Sequence, residues 1–139
     1  MNMLAIAQRH QGRGVGEQTV ALIEYLRAMV VDKGRAGERF HAVFVDHRRA
    51  YLGDAPMGVG HSGGLVVRMR NVFANALSLN ASGILVAHNH PSGHCRPSLL
   101  DVSATKRLVD VARALDIAVI DHLILTADAV YSMRAGGDL

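Results

Sequence analysis

The chain has 139 residues, half of them apolar and 19% charged, which is enough to bury one full core without a metal staple. Its net charge of +3 comes mainly from arginines scattered at Arg48-Arg49, Arg68 and Arg70, and Arg107 and Arg113, with only three Phe and three Tyr beside them. A stacking groove for single-stranded nucleic acid is therefore not indicated, although acidic partners are permitted. The single cysteine, Cys95, excludes an internal disulfide framework, the start MNMLAIAQRHQGRG makes a poor secretory signal, and no apolar run is long enough to cross a bilayer. The expectation is a cytoplasmic protein without membrane association.

In chain order, residues 1–15 read as a flexible lead-in and residues 16–139 as a single domain. Val20, Ile23, Leu26 and Val30 recur at helical spacing from about Glu17 to Val31, with Asp32-Lys33-Gly34 as the stop and GRAGE as a turn. FHAVFVD (Phe40–Asp46) suits a strand, and Tyr51–Gly53 could return from it. Glycines at 53, 58, 60, 63 and 64 predict a loop-rich stretch, and Leu65-Val66-Val67 a short strand. Val72, Asn75/Ala76 and Leu79 mark one face of a helix ending near Asn80. Gly83–His88 reads as a buried strand and Ile117–Leu125 as a second. Between them Val102, Thr105, Leu108/Val109, Ala112 and Leu115 form a helical stripe, and Ala129–Met133 makes a last strand. Helices interleaved with apolar strands predict a layered α/β or α+β domain.

The chemistry concentrates in HNHPSGHCRPSLLD, residues 88–101. His88 and His90 lie one residue apart at a strand end, so both imidazoles face the same way and can converge on one ion. Pro91-Ser92-Gly93 turns the chain, and a helix starting near Ser98 brings Asp101 back from its first turn. Two imidazoles and one carboxylate form a usual catalytic zinc set with a position left for water. Ser98-Leu-Leu-Asp101 equally has the spacing of a capping box, and the two readings are compatible. His94 and Cys95 are rival ligands in the loop, and His122, set in an apolar strand, reads as a buried, hydrogen-bonded imidazole. A base for the water must be sought elsewhere. Glu17 and Glu24 share one helix face and read as solvated charges. Glu38, just before the strand FHAVFVD, is the remaining glutamate and a candidate base, or else a turn carboxylate paired with Arg35 or Arg39.

These residues resemble the RadC-like branch of the JAB/MPN (JAMM) metalloprotease superfamily, whose pattern is an upstream glutamate, HxHP, a serine, and an aspartate three residues on. Here that reads Glu38, His88-Asn-His90-Pro, Ser98 and Asp101, and the string continues through Thr105, Leu108, Leu115, Ile117, Asp121 and His122. The resemblance covers roughly residues 36–135. It implies an α-β-α sandwich with a central mixed sheet, related to cytidine deaminases. It also implies Zn2+ held by His88, His90 and Asp101, with water as the fourth ligand. Glu38 would carry the proton from that water to the leaving amine, and Ser98 would hydrogen-bond the carbonyl oxygen as it gains charge. Relatives in the superfamily cleave peptide or isopeptide bonds, so the implied partner is a protein or peptide substrate.

Two departures bear on this. The branch usually has a PREIF-like segment before its second helix, whereas this chain has Arg68-Met-Arg70-Asn71-Val-Phe73, which removes a glutamate and a proline near the site. Residues 1–35 do not supply the helix-hairpin-helix module that many relatives carry. Deaminase chemistry needs HxE and PCxxC, which are absent. The alternative to a hydrolase is a non-catalytic binding module of a DNA-repair or nucleic-acid-associated pathway, for which converging Arg48, Arg49, Arg68 and Arg70 would be the contact surface.

Overall fold

The computed structural model describes residues 15–31, 37–60 and 68–139. In chain order these form α1 (Val15–Val30), β1 (Glu38–Val45), β2 (Tyr51–Gly60), α2 (Met69–Ser78), β3 (Gly83–Asn89), α3 (Leu99–Ala114), β4 (Ala118–Leu125) and β5 (Val130–Ser132). The strands make one sheet in the order β2-β1-β3-β4-β5. Neighbours are antiparallel except β3 and β4, which run parallel because α3 returns the chain to the starting end.

Strand alternation divides the apolar side chains between the two faces. Phe40, Ala42 and Phe44 of β1 join Ile84 and Val86 of β3 on one face, where α2 adds Val72, Phe73 and Ala76 and α3 adds Leu108 and Ala112. Val43, Val45, Leu85 and Ala87 point to the other face, which α1 covers through Leu26 and Val30. The result is the expected α-β-α sandwich around a mixed sheet. On the α1 face, Asp54 of β2 accepts hydrogen bonds from Tyr25, Tyr51 and His41, the bonds to Tyr25 and His41 both at 2.6 Å, so one carboxylate ties α1 to β1 and β2.

One irregularity sets the position of a functional side chain. Ile84 of β3 pairs with Val119, but Leu85 pairs with Asp121, leaving Ile120 as an extra residue in β4. Such a bulge reverses the alternation beyond it. Val119 therefore belongs to the core under α2 and α3, Leu123 and Leu125 to the core under α1, and His122 points toward α3.

The structure differs from the sequence expectation in several places. β2 runs through Gly53, Pro56 and Gly58 instead of dissolving into a loop. It is an edge strand, so the proline's missing N–H breaks no second ladder, and register steps at Leu52 and Met57 absorb the irregular residues. Val20 is exposed, so the buried stripe of α1 is narrower than its periodicity suggests. α2 starts at Met69 with Arg68 as N-cap, no side-chain cap and no acidic residue in its first turn. The lead-in through residue 14, the stop at Asp32-Lys33-Gly34 and the segment Leu65-Val66-Val67 lie outside the described residues. Among the described residues, no helix is long and apolar enough to cross a membrane.

Candidate metal centre

The site lies where the carboxyl end of β3 meets the start of α3, the usual place for a ligand beside parallel strands. The His90 N–H donates to the Leu125 carbonyl at 3.1 Å, extending the β3–β4 pairing one residue past the strand. Gly93 then closes the turn, its N–H donating to the His90 carbonyl at 3.0 Å with φ of +84°, a left-handed conformation that glycine adopts without a side-chain penalty. α3 opens with a full capping box. Ser98 Oγ accepts from the Asp101 N–H at 3.0 Å, and Asp101 Oδ2 accepts from the Ser98 N–H at 2.8 Å.

The same carboxylate faces both imidazoles. His90 Nε2 lies 3.0 Å from Asp101 Oδ2, His88 Nε2 lies 3.3 Å from Asp101 Oδ1, and the two Nε2 atoms are 2.9 Å apart. Among the described residues these three form the one His/Cys/Asp/Glu cluster arranged to hold a metal ion. Tetrahedral ligands about 2.1 Å from a zinc ion stand about 3.4 Å from one another, so a few tenths of an ångström of opening fit the trio to such an ion. The tautomer of His90 also fits. Its Nδ1 lies 2.8 Å from the His94 carbonyl, which can only accept, so Nδ1 carries a proton and Nε2 is the nitrogen left facing Asp101 for an ion.

Electrostatics favours the charged form of the acid. Burial works against ionisation of Asp101, but His88 beside it and the bonds from Ser98 outweigh that penalty and hold its carboxyl well below the ordinary range. Behind the trio, His88 Nδ1 lies 2.6 Å from His122 Nε2, and His122 Nδ1 lies 2.7 Å from Thr105 Oγ1. Burial above all, with the neighbouring His88, pushes the His122 pKa down to about 3, so its imidazole is neutral at ordinary pH.

Glu38 heads β1. Phe40 pairs with His88 across the β1–β3 ladder, and Glu38 lies two residues earlier, so strand parity puts it on the His88 face at the end of the sheet where His90 emerges. Asn89 holds this end of β1. Its Oδ1 accepts from the Arg39 N–H at 2.5 Å, and its Nδ2 donates to the Gly37 carbonyl at 3.2 Å. The residue between the two histidines thus grips the backbone on either side of Glu38. Ser98 is exposed, and with its oxygen accepting from Asp101 its hydroxyl proton points to no acceptor in the cap. His94 contributes its carbonyl to the site, and the Cys95 thiol donates to the Ile124 carbonyl at 3.2 Å, so neither side chain joins the trio.

Asn89 and Thr105 are the participants that sequence reasoning overlooked. Thr105 looked like one more position in a helical stripe, and Asn89 like a spacer. For Thr105 the available signal was a polar residue in a stripe that is apolar and buried at Leu108 and Ala112; Asn89, between two histidines, gave none.

A model of the RadC-like JAB domain matches residues 17–138. The chain belongs to the RadC-like JAB family. A UPF0758 protein of Acidithiobacillus ferrooxidans is 36% identical over 140 residues, covering 97% of this chain and 62% of the relative. A UPF0758 protein of Thermosynechococcus vestitus is 36% identical over 122 residues, covering 86% of this chain and 49% of its own length. One from Paraburkholderia xenovorans is 32% identical over 151 residues, covering 90% and 60%. The chain thus spans about half to three-fifths of the length of these relatives.

Proposed function

We propose that this RadC-like JAB chain is a zinc-dependent hydrolase of amide bonds, acting on a peptide or isopeptide bond of a protein or peptide substrate. The observation that carries this reading is the convergence of His88 Nε2, His90 Nε2 and Asp101 within 3.3 Å of one another, with the Nδ1 proton of His90 already held by the His94 carbonyl so that Nε2 is the nitrogen offered to an ion. Two imidazoles and one carboxylate leave a fourth position open, as in catalytic rather than structural zinc sites. Zinc bound there supplies acidification of water and polarisation of the substrate carbonyl.

The protein's own groups do the rest. Glu38 takes the proton from the attacking water and delivers it to the leaving amine. Asn89 fixes the backbone that presents Glu38. Ser98 donates its hydroxyl proton to the carbonyl oxygen as negative charge builds there. Asp101 stays ionised across the working pH range because its environment disfavours protonation.

The test is hydrolysis by the zinc-loaded chain of fluorogenic peptides and lysine-branched isopeptides. Cleavage that a chelator abolishes and added zinc restores supports the reading. A zinc-loaded chain that cleaves no member of either panel turns the reading toward a non-catalytic binding module. The arginines do not themselves favour that module. Arg48 and Arg49 lie at the β1–β2 turn, whereas Arg68 and Arg70 head α2, whose far end packs against β2 at Gly53 through Leu79.

A further inference from the structure

We infer that Thr105 and His122 form a positioning pair that fixes a proton on Nδ1 of His88 by a one-way hydrogen-bond chain, so that Nε2 is the nitrogen presented beside Asp101 and His90 for a metal. This deepens the zinc-hydrolase reading and rests on it for its purpose, but the tautomers can be read without zinc.

The chain starts from an atom that cannot donate. Thr105 Oγ1 lies 2.7 Å from the Asp101 carbonyl one turn earlier in α3. The hydroxyl has one proton, and that carbonyl takes it. Thr105 Oγ1 is therefore an acceptor toward His122 Nδ1, 2.7 Å away, so His122 carries its proton on Nδ1. A neutral imidazole has one N–H, which leaves His122 Nε2 as an acceptor toward His88 Nδ1 at 2.6 Å. His88 then carries a proton on Nδ1, which leaves Nε2 as its ligating nitrogen. Each link follows from the one before, and His88, Thr105 and His122 are 0, 1 and 4% exposed, so water does not compete for the bonds. The space beside the pair, among Phe40, Met69, Ala104, Thr105, Leu108 and His122, is about 10 Å³, at the lower bound for a single water. Phe40 packs edge-on against the His122 ring at 5.8 Å and 82°, which limits ring rotation.

A group hydrogen-bonded behind a histidine ligand orients the ring and fixes its tautomer, and its loss costs about 10–100-fold in metal affinity. Here the outer partner is an imidazole, which can donate or accept, so the threonine hydroxyl is needed to choose the direction. His90 reaches the same tautomer independently through the His94 carbonyl.

The experiment combines imidazole 15N NMR of the metal-free 139-residue chain at mildly alkaline pH with Zn2+ affinity measured by competition against a chromogenic chelator. The expected spectrum has His122 protonated at Nδ1 and bare at Nε2, with a proton on His88 Nδ1; the His122 signals are assigned by their loss in His122→Gln. Thr105→Val, which keeps shape and removes the hydroxyl, is expected to broaden or reverse the His122 signature and weaken zinc by about 10–100-fold, and Thr105→Ser to restore both. A wild-type His122 protonated at Nε2 overturns the assignment, whatever the zinc affinity. So does a folded Thr105→Val chain with wild-type tautomers and zinc affinity. A wild-type chain with the assigned tautomers that binds no zinc upholds this inference and instead removes the metal-centre reading.

Discussion

Ser98 and Asp101 hold each other across the first turn of α3, each side chain accepting the other's backbone N–H, at 3.0 and 2.8 Å. The acid offered to the two histidines is thus fixed by the serine proposed to meet the substrate. The two duties of Ser98 can be separated. Ser98→Ala removes the cap and is expected to lower stability by about 1 kcal/mol as well as slow hydrolysis. Ser98→Gly costs the cap only about a few tenths of a kcal/mol and has no side-chain donor, so its melting temperature stays near wild type while kcat falls by about 100-fold. Thermal melts beside kcat measurements check this; equal kcat in Ser98→Gly and wild type removes the hydroxyl from the chemistry.

Metal content is the second measurement. Protein prepared without chelator is expected to contain one zinc ion per chain by elemental analysis, and the His88→Ala/His90→Ala double variant none. Zinc should raise the melting temperature of the wild type and leave the double variant unmoved, since a ligand that binds only the folded state stabilises it by mass action. A double variant that retains stoichiometric zinc places the ion elsewhere.

For the proposed base, Glu38→Gln should bind zinc as wild type does and lose hydrolysis by at least about 100-fold. Asn89→Ala tests how Glu38 is presented. It breaks the bonds to Gly37 and Arg39 while leaving the histidines and Asp101 in place, so zinc affinity is retained and kcat falls. Unchanged kcat in Asn89→Ala means that Glu38 is positioned without it.

Acid stability offers a test on the opposite face. Burial disfavours charge on Asp54, but hydrogen bonds from Tyr25, Tyr51 and His41 outweigh it and lower its pKa. A carboxyl lowered in the folded state contributes stability above its unfolded pKa and loses it as pH falls through the folded value. The Tyr25 hydroxyl is raised to about 12, chiefly by burial and then by Asp54, so its contribution is complete below about 10 and is lost as pH rises through about 12. Asp54→Asn should therefore melt below wild type at pH 7, with the gap closing as the solution is acidified. Melts across the acid range that keep a constant gap would falsify this account of Asp54.

The layered fold and the metal trio were legible for different reasons. The trio reads directly because HxH on an extended chain and Ser-x-x-Asp at a helix start are both short-range geometries, set by two residues of strand and one turn of helix. The buried strands read from their apolar runs. β2 did not, because glycine and proline mark breaks in an isolated chain, while an edge strand with register steps tolerates both. The chain from Thr105 through His122 to His88 was also hidden. It joins residues 17 and 34 positions apart, and no local pattern encodes which side of a bulged strand a histidine faces.

The bulge at Ile120 has a consequence for the site. As the single unpaired residue of β4, Ile120 decides which of two adjacent side chains, His122 or Leu123, stands behind His88. Were Ile120 instead paired with Leu85 in a regular ladder, Leu123 would oppose His88 and His122 would oppose Ala87, which would deliver a leucine to the floor of the centre and bury an imidazole among the aliphatic side chains beneath α1. In this strand, register is as much a part of the arrangement as chemistry: the side chain standing behind His88 is set by which residue the ladder leaves out.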